Sequence, residues 1–138
     1  MTPQTGRTQE CNRGQAVVRL NQARAFLEAA ELVGMVDDEL ANDNVAAAMA
    51  VLAGIAAADA ACCATLGRRS RGQDHRQAIR LVEQAGADGK ILAKALGRLL
   101  DIKDGAHYGM VYVGTQQAKA ALKSATILVE GASRLVTL

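Results

Sequence analysis

The sequence predicts an all-α protein, an up-and-down bundle of four to five helices. Three observations predict it. Half of the 138 residues are apolar, dominated by Ala, Leu and Val, with one Pro, one Phe, two Tyr and no Trp, a composition that favours helix over sheet. From Gly14 onward, apolar residues recur every three or four positions. One stretch, Asn42 to Leu66 (NDNVAAAMAVLAGIAAADAACCATL), is so uniformly small and apolar that other helices must pack around it. A chain of this length forms one domain, residues 14–138, behind a flexible polar tail of residues 1–13.

The elements follow in order. The tail, MTPQTGRTQECNR, has no apolar core of the kind a secretory leader carries. The first helix runs from Gly14 to Met35, with Val17, Leu20, Ala23, Leu27, Ala30 and Gly34 as its stripe and Arg19 and Arg24 off it. The central helix is capped by Asn42, Asp43 or Asn44 and stopped by Gly67. Its larger residues, Val45, Met49, Leu52, Ile55, Cys62 and Leu66, share one face with Asp59, while its alanines let neighbours approach closely. A membrane-spanning reading is set aside: Asp59 interrupts the stretch, Ala is weakly hydrophobic, and amphipathic helices flank it.

GRRSRGQDHR is the most basic run and reads as a loop. Asp74 caps a third helix from His75 to Gln84. After AGADG, a fourth helix carries Ile91, Leu92, Ala95, Leu96, Leu99, Leu100 and Ile102 up to Lys103. DGAHYGMVYVG reads as an ordered loop, and Thr115 caps a last helix lined by Ala118, Leu122, Ala125, Leu128 or Val129, Ala132 and Leu135.

A net charge of +2 does not by itself argue for nucleic acid. The three cysteines are Cys11 in the tail and the adjacent pair Cys62 and Cys63; an odd number with this spacing suggests reduced thiols, a cytoplasmic chain and no metal site. No glycine-rich phosphate loop is present, and no cofactor is implied. Three polar groups stand out. Arg68, Arg69, Arg71, His75, Arg76 and Arg80 are either a solvated basic loop or a phosphate site built on arginine forks. Lys103, Asp104, His107 and Tyr108 are either a helix end or an acid–base and phosphate group. Asp59 is either a structural buried acid or part of the same site.

The order LNQARAFLEAAELV, an Ala-rich helix ending in LG, GQDHRQAIRLV, LGRLLDIKDGAHYG and a final Ala-rich amphipathic helix resembles the HEPN superfamily over Gly14 to Val136. The resemblance implies a helical bundle, a homodimer, and either a module that binds a nucleotide, RNA or a partner protein, or a metal-independent ribonuclease toxin neutralised by a nucleotidyltransferase-like antitoxin. The ribonuclease signature is an arginine, four to six residues and a histidine before the last helix. Here Lys103 and His107 stand at that place with three residues between, whereas Arg69 and His75 fit the count but precede the third helix. On this resemblance His107 and Lys103 are the catalytic candidates, with Asp59, Arg69, His75 and Tyr108 as binding residues.

Two geometric expectations follow. If the second and fourth helices run parallel, Asp59, His75, Lys103, His107 and Tyr108 meet at one pole with Arg69 at the rim, and the cations lower the Asp59 pKa. The central and last helices also carry more small apolar face than one bundle hides, which points to a dimer.

Overall fold

A computed structural model describes residues 7–35, 42–71, 74–108, 110 and 112–137, with 104–108 as backbone alone. Among these residues are five helices: α1 (Arg13–Met35), α2 (Asn42–Leu66), α3 (His75–Glu83), α4 (Gly89–Tyr108) and α5 (Thr115–Thr137). Two three-residue strands, β1 (Thr8–Glu10) and β2 (Arg68–Ser70), join them. The all-α bundle expected from composition and periodicity is therefore present, with one small antiparallel ribbon added to it. In the ribbon Gln9 lies opposite Arg69.

α2 is the centre. Fourteen of its residues are buried, nearly all of them Ala, Gly, Cys or Val. The face of large residues is the more open one: Val45 is exposed, and Met49, Leu52 and Ile55 are half-buried. The reason is steric. Side chains no larger than a methyl group let α1, α4 and α5 approach the α2 backbone closely, so the alanine faces become the core. At Gly54 there is no room even for a methyl group, since a Cβ there would stand 2.2 Å from Leu99 Cδ1 and 3.2 Å from Leu128 Cδ1. α2 is long and apolar enough to cross a membrane, and most of it is covered by the other helices.

Contacts fix the helix directions. Gly34 faces Ala46 and Arg19 meets Asp59, so α1 and α2 are antiparallel. The start of α5 is tied to the start of α2: Asn44 Oδ1 accepts from the Val113 N–H at 2.8 Å, and the Thr115 hydroxyl donates to Asp43 at 2.8 Å. Gly54 faces Leu128 further along, so α2 and α5 run together. Leu92 packs on Gly131, while Arg98 and Ile102 lie beside Gln117 and Ala121, so α4 opposes α5. It follows that α4 does not run parallel to α2. The four long helices make the up-and-down bundle, and short α3 is an insertion folded back on α4.

Several local expectations hold. Gly67, at φ +72°, ends α2 in the left-handed region that glycine adopts without strain. Asp74 caps α3, accepting from the Arg76 N–H at 3.0 Å. Others need correction. Thr115 is the first residue of α5, with its hydroxyl given to Asp43. α4 continues past Lys103 to Tyr108, through residues read as the start of a loop. Arg68–Ser70 of the basic run form β2, because residues 8–10 of the tail, read as flexible, pair with them. Asn12 and Gln15 then start α1 with a reciprocal capping box, the Gln15 N–H donating to Asn12 Oδ1 at 2.9 Å and the Asn12 N–H to Gln15 Oε1 at 3.0 Å.

The cysteine reading is also overturned. Cys11 and Cys63 form a disulfide that joins the tail to α2 across 52 residues, with Cys62 buried and free. Cys11 and Cys63 are therefore not the reduced thiols expected from the cysteine count. The dimer argument from unhidden small faces fails as well. Those faces of α2 and α5 are buried within the bundle, and the large apolar side chains left open among the described residues are elsewhere: Val17, Val18, Leu32 and Met35 of α1, Val45 at the start of α2, Ile91 of α4, and Met110 and Tyr112.

Candidate functional site

Asp59 is the buried carboxylate at the middle of the site, with a residue exposure of 7%. It is held from two directions. Arg19 of α1 donates from Nε to its Oδ2 at 3.0 Å, and Arg69 of β2 places Nη1 3.6 Å from the same oxygen. Each arginine is aimed by a glutamine: Arg19 Nη1 donates to Gln22 Oε1 at 2.8 Å and Arg69 Nη2 to Gln9 Oε1 at 2.9 Å. Burial pushes the Asp59 carboxyl above its ordinary value, with Arg19 and then Arg69 pulling the other way. The expected lowering is thus reversed, because loss of hydration outweighs two half-exposed cations. Burial likewise pushes the Cys62 thiol up to about 12, with the Asp59 charge adding to the effect and Arg68 opposing it.

On one side of Asp59 lies a cleft of about 170 Å³ between α2, α3 and α4. Its apolar floor is Ile55, Ala58, Ala78, Leu96 and Leu100; Asp59, Ser70, Asp74, His75 and Lys103 supply the polar atoms. Lys103 Nζ stands 3.5 Å from His75 Nε2. The lysine can donate there when the ring proton is on Nδ1. This meeting depends on the α3–α4 hairpin: α3 turns back at Gly86 and lies along α4, which brings the first residue of α3 to the last third of α4. Convergence therefore comes from the insertion, not from parallel α2 and α4.

Of the residues expected at one pole, Asp59, His75 and Lys103 share the cleft. Arg69 reaches Asp59 but lines a second opening on the other side. His107 and Tyr108 belong to the last turn of α4, and their side chains lie outside the described residues. Arg19 is the residue of the Asp59 cluster that the sequence reading does not single out. In an antiparallel hairpin the sum of paired residue numbers stays nearly constant, so the register that sets Gly34 against Ala46 also brings Arg19 to Asp59. Ser70, whose hydroxyl lies 3.3 Å from Gln77 Oε1, was likewise hidden in the presumed loop.

A scan of the chain against protein-family models and a search of curated proteins each find no match.

Proposed function

We propose that this chain is a HEPN-like, non-catalytic or weakly catalytic module that binds the phosphate of a nucleotide or RNA in the cleft between α2, α3 and α4. The observation that carries the reading is the approach of Lys103 to His75 at 3.5 Å, beside a carboxylate already occupied by two arginines. An unneutralised Asp59 would repel a phosphate; with Arg19 and Arg69 on it, the Lys103 ammonium is left to meet an anion. The apolar floor of Ile55, Ala58 and Leu100 suits the face of a base or sugar, and Arg76 and Arg80, exposed on α3, extend the positive surface beyond the cleft. An RNA or nucleotide ligand would place the protein in the cytoplasm. The exposed Leu32, Met35, Val45, Met110 and Tyr112 supply apolar surface on which a homodimer can form.

Titration of fluorescein-labelled single-stranded RNA, and of ATP by calorimetry, tests the reading with Lys103→Ala and His75→Ala. The expected result is binding by the parent that both variants weaken. Absence of binding by the parent, or equal binding by all three, refutes it.

The same lysine–histidine contact favours a second reading, a metal-independent ribonuclease. His75 would take the proton of a ribose 2′-hydroxyl, which attacks the adjacent phosphorus, and Lys103 would stabilise the added negative charge on the phosphate oxygens. The bond from phosphorus to the 5′-oxygen would break, water would protonate that oxygen, and the products would be a 2′,3′-cyclic phosphate and a 5′-hydroxyl end. Such an enzyme would require restraint by a partner, in line with a nucleotidyltransferase-like antitoxin. RNA cleavage in excess EDTA that disappears in His75→Ala separates it from the binding reading.

A further inference from the structure

The second opening, about 310 Å³, lies on the other side of the Asp59 cluster and shares no lining residue with the cleft proposed for phosphate. Gln9, Glu10, Gln15, Gln22, Arg19 and Arg69 line it together with both sulfur-bearing residues of the disulfide. Its formal charges cancel, two arginines against Glu10 and the Asp59 they hold, so nothing selects an ionic ligand. What the opening offers is access to a disulfide.

Little else holds the segment that this disulfide fastens. All three residues of β1 are exposed, and Cys11 is half-buried. The ribbon is extended by the Cys11 N–H donating to the Gly67 carbonyl at 2.9 Å and the Arg71 N–H to the Arg7 carbonyl at 2.8 Å. An isolated two-stranded ribbon of this size is marginal in water. Yet Gln9 in β1 is the residue that aims Arg69 at Asp59.

We propose that Cys11–Cys63 is a redox latch: a small dithiol reductant entering this opening cleaves it, β1 leaves β2, and Arg69 loses the partner that directs it to Asp59. In the first step a thiolate of the reductant attacks Sγ of Cys11, the more exposed of the two. The Cys11–Cys63 bond breaks, its electron pair leaves on Cys63 Sγ, and water protonates that sulfur. The second thiol of the reductant then attacks the mixed disulfide, and Cys11 leaves as a thiolate that is protonated in turn. Two electrons and two protons pass to the protein, and the reductant becomes a cyclic disulfide.

Two features make the latch reversible. Cys63 is fixed in the most buried helix, and Cys11 immediately precedes the Asn12–Gln15 cap that ties it to α1, so the two thiols stay close after reduction. Cys62 cannot compete for either sulfur, since it is buried and stays a thiol through neutral pH.

The full chain is equilibrated in dithiothreitol redox buffers without any ligand, and read by alkylation mass and by amide hydrogen exchange. This readout is independent of phosphate binding. On reduction two thiols should become alkylatable in the native protein and Cys62 should not. The Cys11 and Arg71 amides should exchange at least tenfold faster while those of α2 and α5 hold, and reoxidation should restore both. Cys11→Ser should show the fast ribbon exchange with no response to reductant; Cys62→Ser should respond as the parent does. The latch is overturned if the disulfide is absent from the protein as purified, if it yields only with global unfolding, or if reduction and Cys11→Ser leave ribbon exchange unchanged.

Discussion

The two openings on either side of Asp59 are built from opposite kinds of material. The cleft is made by the α3–α4 hairpin lying on α2, with five apolar side chains beneath its polar rim. The other opening is walled by glutamines, arginines and a disulfide, and its outer edge is a three-residue strand. The first is held by burial, the second by a covalent bond and a few exposed hydrogen bonds. Placing a ligand site on the packed side and a releasable segment on the other keeps the binding geometry while the tail comes and goes. Asp59 joins them, because its carboxylate lines the cleft while both of its cations, Arg19 from α1 and Arg69 from β2, line the other opening.

The largest expected effect falls on the covalent side. Closing a loop of 52 residues lowers the entropy of the unfolded chain enough to stabilise the fold by about 4 kcal/mol. Cys11→Ser should lose a stability of that order in urea unfolding with α2 and α5 still folded. A loss near zero would mean that the tail adds nothing the packed helices need. Next comes the packed side. Gly54→Ala sets a methyl group against Leu99 and Leu128, both fully buried. Overpacking of this kind costs about 1–3 kcal/mol, partly offset by the better helix propensity of Ala, about 1 kcal/mol. Thermal unfolding should therefore show a net loss, and ribbon amide exchange should stay as in the parent. If the ribbon loosened too, the two regions would not be separable. A smaller effect is expected from Lys103→Ala, which should weaken RNA binding by about tenfold at low salt, the size of one charge-assisted contact to phosphate. Its stability should match the parent, since Lys103 is half-exposed at the cleft mouth.

The parts of this molecule that periodicity and caps control were legible in the sequence, and the parts set by chain crossing were not. The extents of α1, α2 and α5, the stop at Gly67 and the cap at Asp74 all follow from spacing and single residues. Asp59 was singled out because a carboxylate in an apolar run needs a partner, and it has two. Its partners were hidden for different reasons. Arg19 looked like solvent-facing charge on α1, and only the hairpin register turns it inward. Arg69 looked like loop, because β2 has no apolar alternation and exists only through pairing with a tail that reads as polar. The disulfide was missed on the same ground: counting cysteines says nothing of the fold bringing the start of α1 beside the end of α2. The meeting of Asp59, His75 and Lys103 was expected, though from the wrong helix directions, and the short α3 insertion is what produces it.

The smallest effect concerns which force governs Asp59. Its folded-state pKa lies above the unfolded value of 3.8 because burial outweighs Arg19 and Arg69. Between those two values the folded protein holds a proton that the unfolded chain has released. The contribution of Asp59 to stability must then fall as pH rises from 3.8 through its folded pKa, and level off above it, where the buried charge carries a constant cost. Asp59→Asn keeps an acceptor for Arg19 Nε and removes the titration. The difference between D59N and parent in urea unfolding cancels the other carboxylates. It should shift in favour of D59N as pH increases across that window and become flat above it. A shift in favour of the parent would mean that Arg19 and Arg69 prevail over burial and hold the carboxyl below 3.8. In that case releasing Arg69 with β1 would remove a stabilising ion pair; with burial in control, it removes only a counterweight to a charge the core already disfavours.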